Sequence, residues 1–478
     1  MKTVLHERRK RPCERLSIMN VFHELNWRGL IHQATADDLA GVLDQEKLPM
    51  YIGFDPTATS LHAGSLIPLM TLRHFQRAGH QVIVLIGGAT GLIGDPSGKS
   101  EERNLETRET VDVRGLAMRR QIEGFLDHAD GPPPKFVNNI DWLGEFRLLD
   151  FLRDIGKYFS VNEMVHKDSV KKRFEQEGAG ISYTEFTYML LQAADFLELY
   201  RRHGCKIQCG ASDQWGNICE GIELIRRVEQ FKRGQAYGLT MPLLTNSEGK
   251  KMGKSEKGAV WLDPKQTSPY AFYQFWINMA DADVARFLRW FTLLDEPAIR
   301  DLEPRIGTGE RIAQKMLAQE ITTLVHGKLE MENARKASEA LFSGDIASLP
   351  VALLKQMASD VPSITLTPQE FGSAMPLVDL LVKCGACSSK ADARRQLSQK
   401  GVRLNGLICE FVQVQQRRRR TATAFSIESR YSPMRRWALF WRCRRMIETS
   451  SLSSSPAVMT ISAMLAEVVT ISVQPQTF

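Results

Sequence analysis

Short runs of consecutive apolar residues alternate with helical spacings in the first half of the chain, a pattern that predicts a parallel α/β unit. Phe22, Leu25, Leu30 and Ile31 are spaced for one face of a short opening helix. Leu48–Phe54 (LPMYIGF) and Val82–Ile86 (VIVLI) read as buried strands. Pro68 lies between them and is tolerated only in a helix's first turn, where its missing N–H has no partner to lose. The intervening helix should therefore begin near Gly64 and end near Gly79. Strand, loop, helix and strand in that order are the unit of a parallel sheet. Cys205–Cys209 (CKIQC) reads as a further strand, with Ser212 or Asp213 placed to cap a helix that carries Ile218, Ile222 and Ile225.

The pattern changes after about residue 245. From Ser268 to Ala340 the apolar spacing is helical, as in FYQFWINM and VARFLRWFTLL, with few strand candidates. Residues 346–374 mix Pro, Ser and Thr and read as a linker. A small unit spans 375–414, with a helix, a turn, a basic helix and the strand-like GVRLNG. Residues 415–478 contain no Gly and no Lys, and combine an RRRR run with a Ser-rich stretch. Turns need glycine, so this segment reads as a disordered or out-of-frame tail. Residues 1–18 are basic with no apolar core behind them and read as a non-native or disordered extension ahead of a globular sequence that begins at Met19.

Charge sharpens this division. The chain of 478 residues carries +7, and the tail from Gln415 to Phe478, with ten Arg and three Glu, accounts for all of it. Any nucleic-acid contact by the rest must come from local patches. No stretch reaches the roughly 18 apolar residues that span a bilayer, and no secretory signal is seen, which predicts a cytoplasmic protein without a membrane partner. The eight cysteines read as reduced thiols. Cys384 and Cys387 form one CxxC that lacks the further ligands a zinc site wants, so no metal site is predicted.

Two glycine-rich motifs fail on spacing. In GGATGLIGDPSGKS, Gly87–Ser100, the glycine before GKS is one residue too close for a P-loop, and Gly88, Gly91 and Gly94 give GxxGxxG rather than a dinucleotide fingerprint. What survives is a glycine-rich strand end beside Asp95, placed where open α/β sheets bind ligands. YIGFDPTATSLHAGS, Tyr51–Ser65, runs from a strand end into a helix start. Gly53 there would admit a ligand to the backbone, while Thr57, Ser60 and His62 set donors beside a positive helix end, an anion site. GKKMGKSE, Gly249–Glu256, places two lysines three apart in a Gly-containing loop. In the helical stretch SYTEFTYMLLQAADFLELY, Tyr188, Gln192 and Asp195 fall on one stripe of an otherwise apolar helix. A satisfied core network would account for them, and so would a bound polar ligand that supplies their partners.

HAGS and KMGKS resemble the HIGH and KMSKS signatures of class I aminoacyl-tRNA synthetases. With GGATGLIGDPSGK, SYTEFTYMLLQAADF, SDQWGNI and TSPYAFYQFWIN in the same order, Met19–Val414 resembles the bacterial tyrosyl-tRNA synthetases. The resemblance implies a Rossmann-like parallel-sheet catalytic domain over 19–245. A KMSKS-like loop and α-helical anticodon-recognition domain would span 246–345, and a small, partial α+β RNA-binding domain of the S-four type 375–414, whose later strands are not recognisable in the sequence that follows. It implies attack of the tyrosine carboxylate on ATP, with Mg²⁺, to give tyrosyl-adenylate and pyrophosphate, then transfer to tRNA(Tyr) by a homodimer. Tyr51 and Asp195 would hold the tyrosine phenol; Tyr188, Gln192 and Asp95 its ammonium group, with Gln208 nearby. Gly53, Asp55, Gly64, Ser65, Asp213, Gln214 and Lys254 would bind ATP. Thr57, His62, Lys99, Arg103, Lys251 and Lys254 would serve catalysis. Lys383, Lys390, Arg394, Arg395, Lys400 and Arg403 would meet RNA phosphates. Two positions depart from the family pattern. Ser65 stands where the second histidine of HIGH belongs, and Ala211 replaces a glycine before SDQWGN. A tryptophan-specific synthetase, a small-molecule adenylyltransferase and an RNA-binding descendant of a synthetase are the weaker alternatives.

Overall fold

The computed structural model describes residues 20–97, 105–126, 131–167, 170–171, 180–230, 236–250, 252, 254–255, 258–343, 349–350, 353–354, 357, 376–404, 407–408, 437–440 and 459–465. They fall into two compact units, one made of residues 1–263 and 280–313 and the other of 264–279 and 314–478.

The first unit is built on a six-stranded sheet of order β1-β6-β5-β2-β3-β4. Its strands are β1 (Gln33–Ala34), β2 (Met50–Phe54), β3 (Val82–Ile86), β4 (Lys135–Asn138), β5 (Ile207–Ala211) and β6 (Tyr237–Met241). All neighbours are parallel except β1, which runs antiparallel to β6. All five side chains of β3 are buried, as expected of a strand covered on both faces. From β2 the chain winds outward through β3 and β4, then returns to lay β5 and β6 on the other side of β2. The order therefore reverses between β2 and β5, the switch point at which such sheets open a crevice beyond their carboxyl ends. Tyr51 on β2 is in register with Gln208 on β5.

The helix after β2 spans Leu66–Arg77, preceded by a 3₁₀ turn at Ala63–Ser65, and Pro68 falls in its first turn. Gly79, at φ +87°, takes the left-handed turn after it. The opening helix is shorter than the spacing suggests. It spans Val21–Arg28 and ends at the left-handed Gly29, so Leu30 is buried beyond the helix and Arg28, not Ile31, completes the buried face. The long helix Tyr183–His203 starts at Ser182, whose side chain accepts from the Glu185 N–H at 3.2 Å, and stops at left-handed Gly204. Ser212 and Asp213 do not cap Trp215–Val228 as anticipated. They form a 3₁₀ turn, Ser212–Gln214, that leads into it without a side-chain cap.

In the second unit Ser268 caps the helix Pro269–Ile277, whose Pro occupies the first helical position. Tyr270 packs with Ala337, Leu341, Leu353, Leu354 and Met357. Three residues of the stretch read as a linker are thus core. Further along come the helices Leu377–Lys383 and Lys390–Ser398, with Cys384 and Cys387 buried beside them. The first unit also carries the short antiparallel pair β7 (Lys254–Ser255) and β8 (Gly258–Ala259), and the second ends in a four-stranded sheet of order β10-β9-β12-β11, from β9 (Val402–Leu404), β10 (Leu407–Ile408), β11 (Trp437–Phe440) and β12 (Met459–Leu465). The last two strands lie within the segment read from sequence as an unfolded or out-of-frame tail: β12 pairs in parallel with β9 through Met459, Thr460 and Ile461. Among the described residues no helix is long and apolar enough to cross a membrane.

Candidate active site

The elements meeting beyond the carboxyl ends of β2 and β5 bring two hydrogen-bonded networks together. The first is buried. Asp195, on Tyr183–His203, is 1% exposed and accepts from Asn139 Nδ2 at 2.9 Å and from Trp142 Nε1 at 2.7 Å. Asn139 also donates to Thr90 Oγ1 at 2.9 Å, Thr90 donates to Asp55 Oδ1 at 2.7 Å, and the Tyr188 hydroxyl donates to Asp55 Oδ2 at 2.8 Å. A chain of short polar contacts therefore links two carboxylates, Asp55 and Asp195, through a threonine and an asparagine.

Burial dominates the electrostatics here. It pushes the Asp195 carboxyl up to about 8, against the two N–H donors that pull it down. The Tyr51 phenol is driven well above its ordinary value by burial and then by Asp195. Tyr51 lies 5.4 Å from the Phe196 ring, centroid to centroid, and its hydroxyl has no hydrogen-bond partner among the described residues. Neither has Gln208 Oε1, on the strand position paired with Tyr51. Two buried polar groups left open beside a buried carboxyl are costly unless something completes them.

The second network is half-buried. Gln214 Nε2 donates to Asp95 Oδ2 at 2.7 Å, and the Ser97 N–H donates to the other Asp95 oxygen at 2.8 Å. Asn217 Nδ2 donates to Gln192 Oε1 at 3.0 Å and to Gln214 Oε1 at 3.3 Å. Tyr188, Gln192 and Asp195 share one helix stripe yet take different partners: Asp55, Asn217 and the Asn139–Trp142 pair.

The glycine-rich strand end is needed for contact. A Cβ on Gly87 would lie 2.0 Å from Asp55 Oδ1, and one on Gly88 would lie 2.3 Å from Asn138 Oδ1. Gly53 is exposed, and a Cβ there would meet only Leu85 at an ordinary 3.7 Å. Thr57 is also exposed.

His62 is exposed and begins the 3₁₀ turn, its Nδ1 accepting from the Gly64 N–H at 3.0 Å. That contact assigns the ring proton to Nε2, which becomes a donor. Gly64 is required because the imidazole lies over it, 2.7 Å from where a Cβ would stand. Ser65 is half-buried and donates its backbone N–H to the His62 carbonyl at 2.8 Å. Asp213 is half-buried in the Ser212–Gln214 turn, next to Ala211 at the end of β5.

Lys254 opens a two-residue strand paired with Gly258–Ala259; Lys99, Arg103 and Lys251 lie outside the described residues. In the second unit Lys383, Lys390, Arg394, Arg395 and Lys400 are exposed. Lys390 is paired with Asp379 and Arg395 with Asp392, each at 2.8 Å. Arg403 lies on β9.

The family model described as "tRNA synthetases class I (W and Y)" matches residues 43–343, and that for the "Tyrosine--tRNA ligase SYY-like C-terminal domain" matches 354–436. The tyrosine–tRNA ligase of Bacillus caldotenax is 51% identical over 392 residues, 81% of this chain and 91% of that one. The chain belongs to the tyrosine–tRNA ligases, aminoacyl-tRNA synthetases of class I. The ligase of Roseiflexus castenholzii is likewise 51% identical, over 391 residues. Among solved structures, a C-terminally truncated mitochondrial tyrosyl-tRNA synthetase from Aspergillus nidulans is similar with a TM-score of 0.61 at 32% identity, covering 68% of this chain and 94% of that one. In this member of the family, sequence reasoning passed over four residues that hold the site: Thr90, Asn139, Trp142 and Asn217. Thr90 lies inside the glycine-rich segment already singled out, and Asn138–Asn139 follow a strand directly, the position at which this sheet places its ligand groups.

Proposed function

We propose that this ligase activates tyrosine with ATP and passes it to tRNA(Tyr), with the two networks dividing the work. The observation that carries the reading is the buried Asp195 carboxyl, held by Asn139 and Trp142 beside the unpartnered Tyr51 hydroxyl. A phenol hydroxyl inserted there satisfies both. Asp195 meets it as an acceptor when ionised and as a donor when neutral; phenylalanine satisfies neither form. This family is itself the reference case for such rejection, about 10⁵-fold without editing. Tyr188, Gln192 and Asp95 receive the ammonium group, with Gln208 as a further polar neighbour. Asp55 is tied to Tyr188 and holds that phenol in place at the nucleotide side.

The tyrosine carboxylate then attacks the α-phosphate and pyrophosphate leaves. No enzyme-bound covalent intermediate is required, so catalysis is positioning plus stabilisation of the charge growing on the leaving group. The Nε2–H of His62, the Thr57 hydroxyl and the helix start at Gly64–Ser65 supply fixed donors; Lys99, Arg103, Lys251 and Lys254 supply cations. Asp213 and Gln214 face the ribose side, Gly53 admits the nucleotide, and Mg²⁺ enters with ATP.

Residues 19–245 are catalytic, 246–345 carry the lysine loop and the anticodon-recognising helices, 346–374 connect, and the unit from 375 binds RNA. Lys383, Lys390, Arg394, Arg395, Lys400 and Arg403 make its phosphate-facing surface. Exposed Leu148, Leu149, Leu152, Val161 and Tyr183 support a homodimer, the second copy covering them; a monomer in sedimentation equilibrium would end that reading. The setting is cytoplasmic.

ATP–pyrophosphate exchange tests the whole. Exchange with tyrosine, and with neither phenylalanine nor tryptophan, is expected. Equal exchange with phenylalanine, or none with any of the three from folded protein, would overturn it.

A further inference from the structure

We propose that Gln121, far from both signatures in sequence, is the positioning residue for His62; the inference rests on the catalytic reading of His62 given above. Gln121 projects from the helix Arg108–Leu126, which is anchored on either side of it by buried Met118 and Ile122. Its amide makes two contacts to the segment immediately before His62. Oε1 accepts from the Leu61 N–H at 2.8 Å, and Nε2 donates to Ser60 Oγ at 3.0 Å. Ser60 is 2% exposed and is saturated, because it also accepts from the Asp263 N–H at 3.1 Å and donates to the Leu61 carbonyl at 2.8 Å.

The same segment is tied a second time. The Ala63 N–H donates to the Val260 carbonyl and the Leu262 N–H to the Leu61 carbonyl, both at 2.8 Å, while His62 bridges Trp261 with the two rings edge to face at 6.3 Å. Val260–Asp263 is the stem on which the lysine loop of residues 249–256 returns. The His62 segment is thus clasped between that stem and Gln121. The backbone of residues 60–63 carries the imidazole, and Gln121 holds that backbone at Ser60 and Leu61.

Losing the amide leaves the buried Leu61 N–H and Ser60 hydroxyl each short of a partner. Residues 60–63 then shift to recover hydrogen bonds, and a displacement of about 1 Å at a reacting group can cost on the order of a hundredfold. The tyrosine pocket shares none of these contacts. Gln121→Glu keeps the acceptor for Leu61, and its other oxygen takes the Ser60 proton from the Leu61 carbonyl, which still accepts from the Leu262 N–H.

The test is single-turnover adenylate formation in the full-length chain, reading tyrosine affinity and the rate constant separately for Gln121→Ala, Gln121→Glu, Ser60→Ala and His62→Ala. The expected result is a rate about ten- to a hundredfold lower in Gln121→Ala with tyrosine affinity unchanged. Gln121→Glu should stay within about threefold of the parent, and Ser60→Ala should show the same split as Gln121→Ala, more weakly. A slow His62→Ala beside a Gln121→Ala of parental rate overturns the positioning role and leaves the reading of His62 intact. A parental rate in His62→Ala overturns that reading and the inference with it. Should Gln121→Ala fail to fold, or lose tyrosine affinity along with rate, a parental rate in Ser60→Ala overturns the proposal.

Discussion

At one end of the site Asp195, Asn139 and Trp142 are 1%, 0% and 3% exposed, and the contacts that join them are side chain to side chain. At the other end His62 stands exposed and is located by hydrogen bonds along its own backbone. Selection between tyrosine and phenylalanine turns on one hydroxyl, and a hydroxyl counts most where water cannot replace it. Charge on departing pyrophosphate is spread over several oxygens and must be released afterwards, a task for donors and lysines near solvent. The buried end therefore holds fixed partners and a displaced carboxyl pKa, and the open end holds a helix start, an imidazole and a loop. The two ends should fail differently when altered.

The largest effect expected is at the buried end. Asp195→Ala takes away the acceptor that Asn139 and Trp142 share and removes the group proposed to meet the phenol. Tyrosine-dependent exchange should fall at least about a thousandfold, and the preference for tyrosine over phenylalanine should collapse.

The same carboxyl sets a smaller, pH-dependent term in the unliganded protein. Its folded pKa of about 8 lies above the ordinary value, so the folded state keeps a proton that the unfolded chain gives up near 4. Stability should then fall as pH rises between those values. Buried His74 and His80, whose pKa values are lowered mainly by desolvation, are neutral when folded, and above about pH 7 they are largely neutral when unfolded as well, so Asp195 dominates the interval from about 7 to 8. Urea unfolding of the first unit, followed by tryptophan fluorescence, should lose about 1 kcal/mol over that interval. Asp195→Asn should flatten the slope; an unchanged slope would mean that the proton is held elsewhere.

At the open end the change expected is smallest. Ser65 is half-buried at the helix start and cannot carry charge. Ser65→His should raise the adenylation rate severalfold, with tyrosine affinity unchanged. A fall would show that the turn has adapted to serine.

The parts of the fold carried by long apolar runs were legible in the sequence. VIVLI and MYIGF are strands, and Pro68 located the helix between them to within its first turn. β4 escaped notice because it is four residues long and none is fully buried, so its apolar signal is faint. β6 is wholly buried but is interrupted by Gly238 and Thr240; glycine is required there because a Cβ would stand 2.4 Å from Ile218. Asn139 and Trp142 follow β4 and were lost with it. The contacts of Gln121 were equally out of reach, since it lies 60 residues from Leu61 and a lone glutamine on an amphipathic helix looks like surface. Motifs revealed the groups proposed to touch the ligand; the residues that hold those groups appear only when the sheet brings distant segments together.

The division of labour itself is tested most directly by stopped-flow fluorescence of adenylate formation, with tyrosine affinity and rate constant measured separately for Asp195→Ala and Lys254→Ala. The account predicts crossed losses. Asp195→Ala loses tyrosine affinity and selectivity, and Lys254→Ala slows adenylation by about a hundredfold while binding tyrosine as the parent does. Equal loss of affinity and rate in both variants would contradict it, because selection and catalysis would then reside in one undivided network.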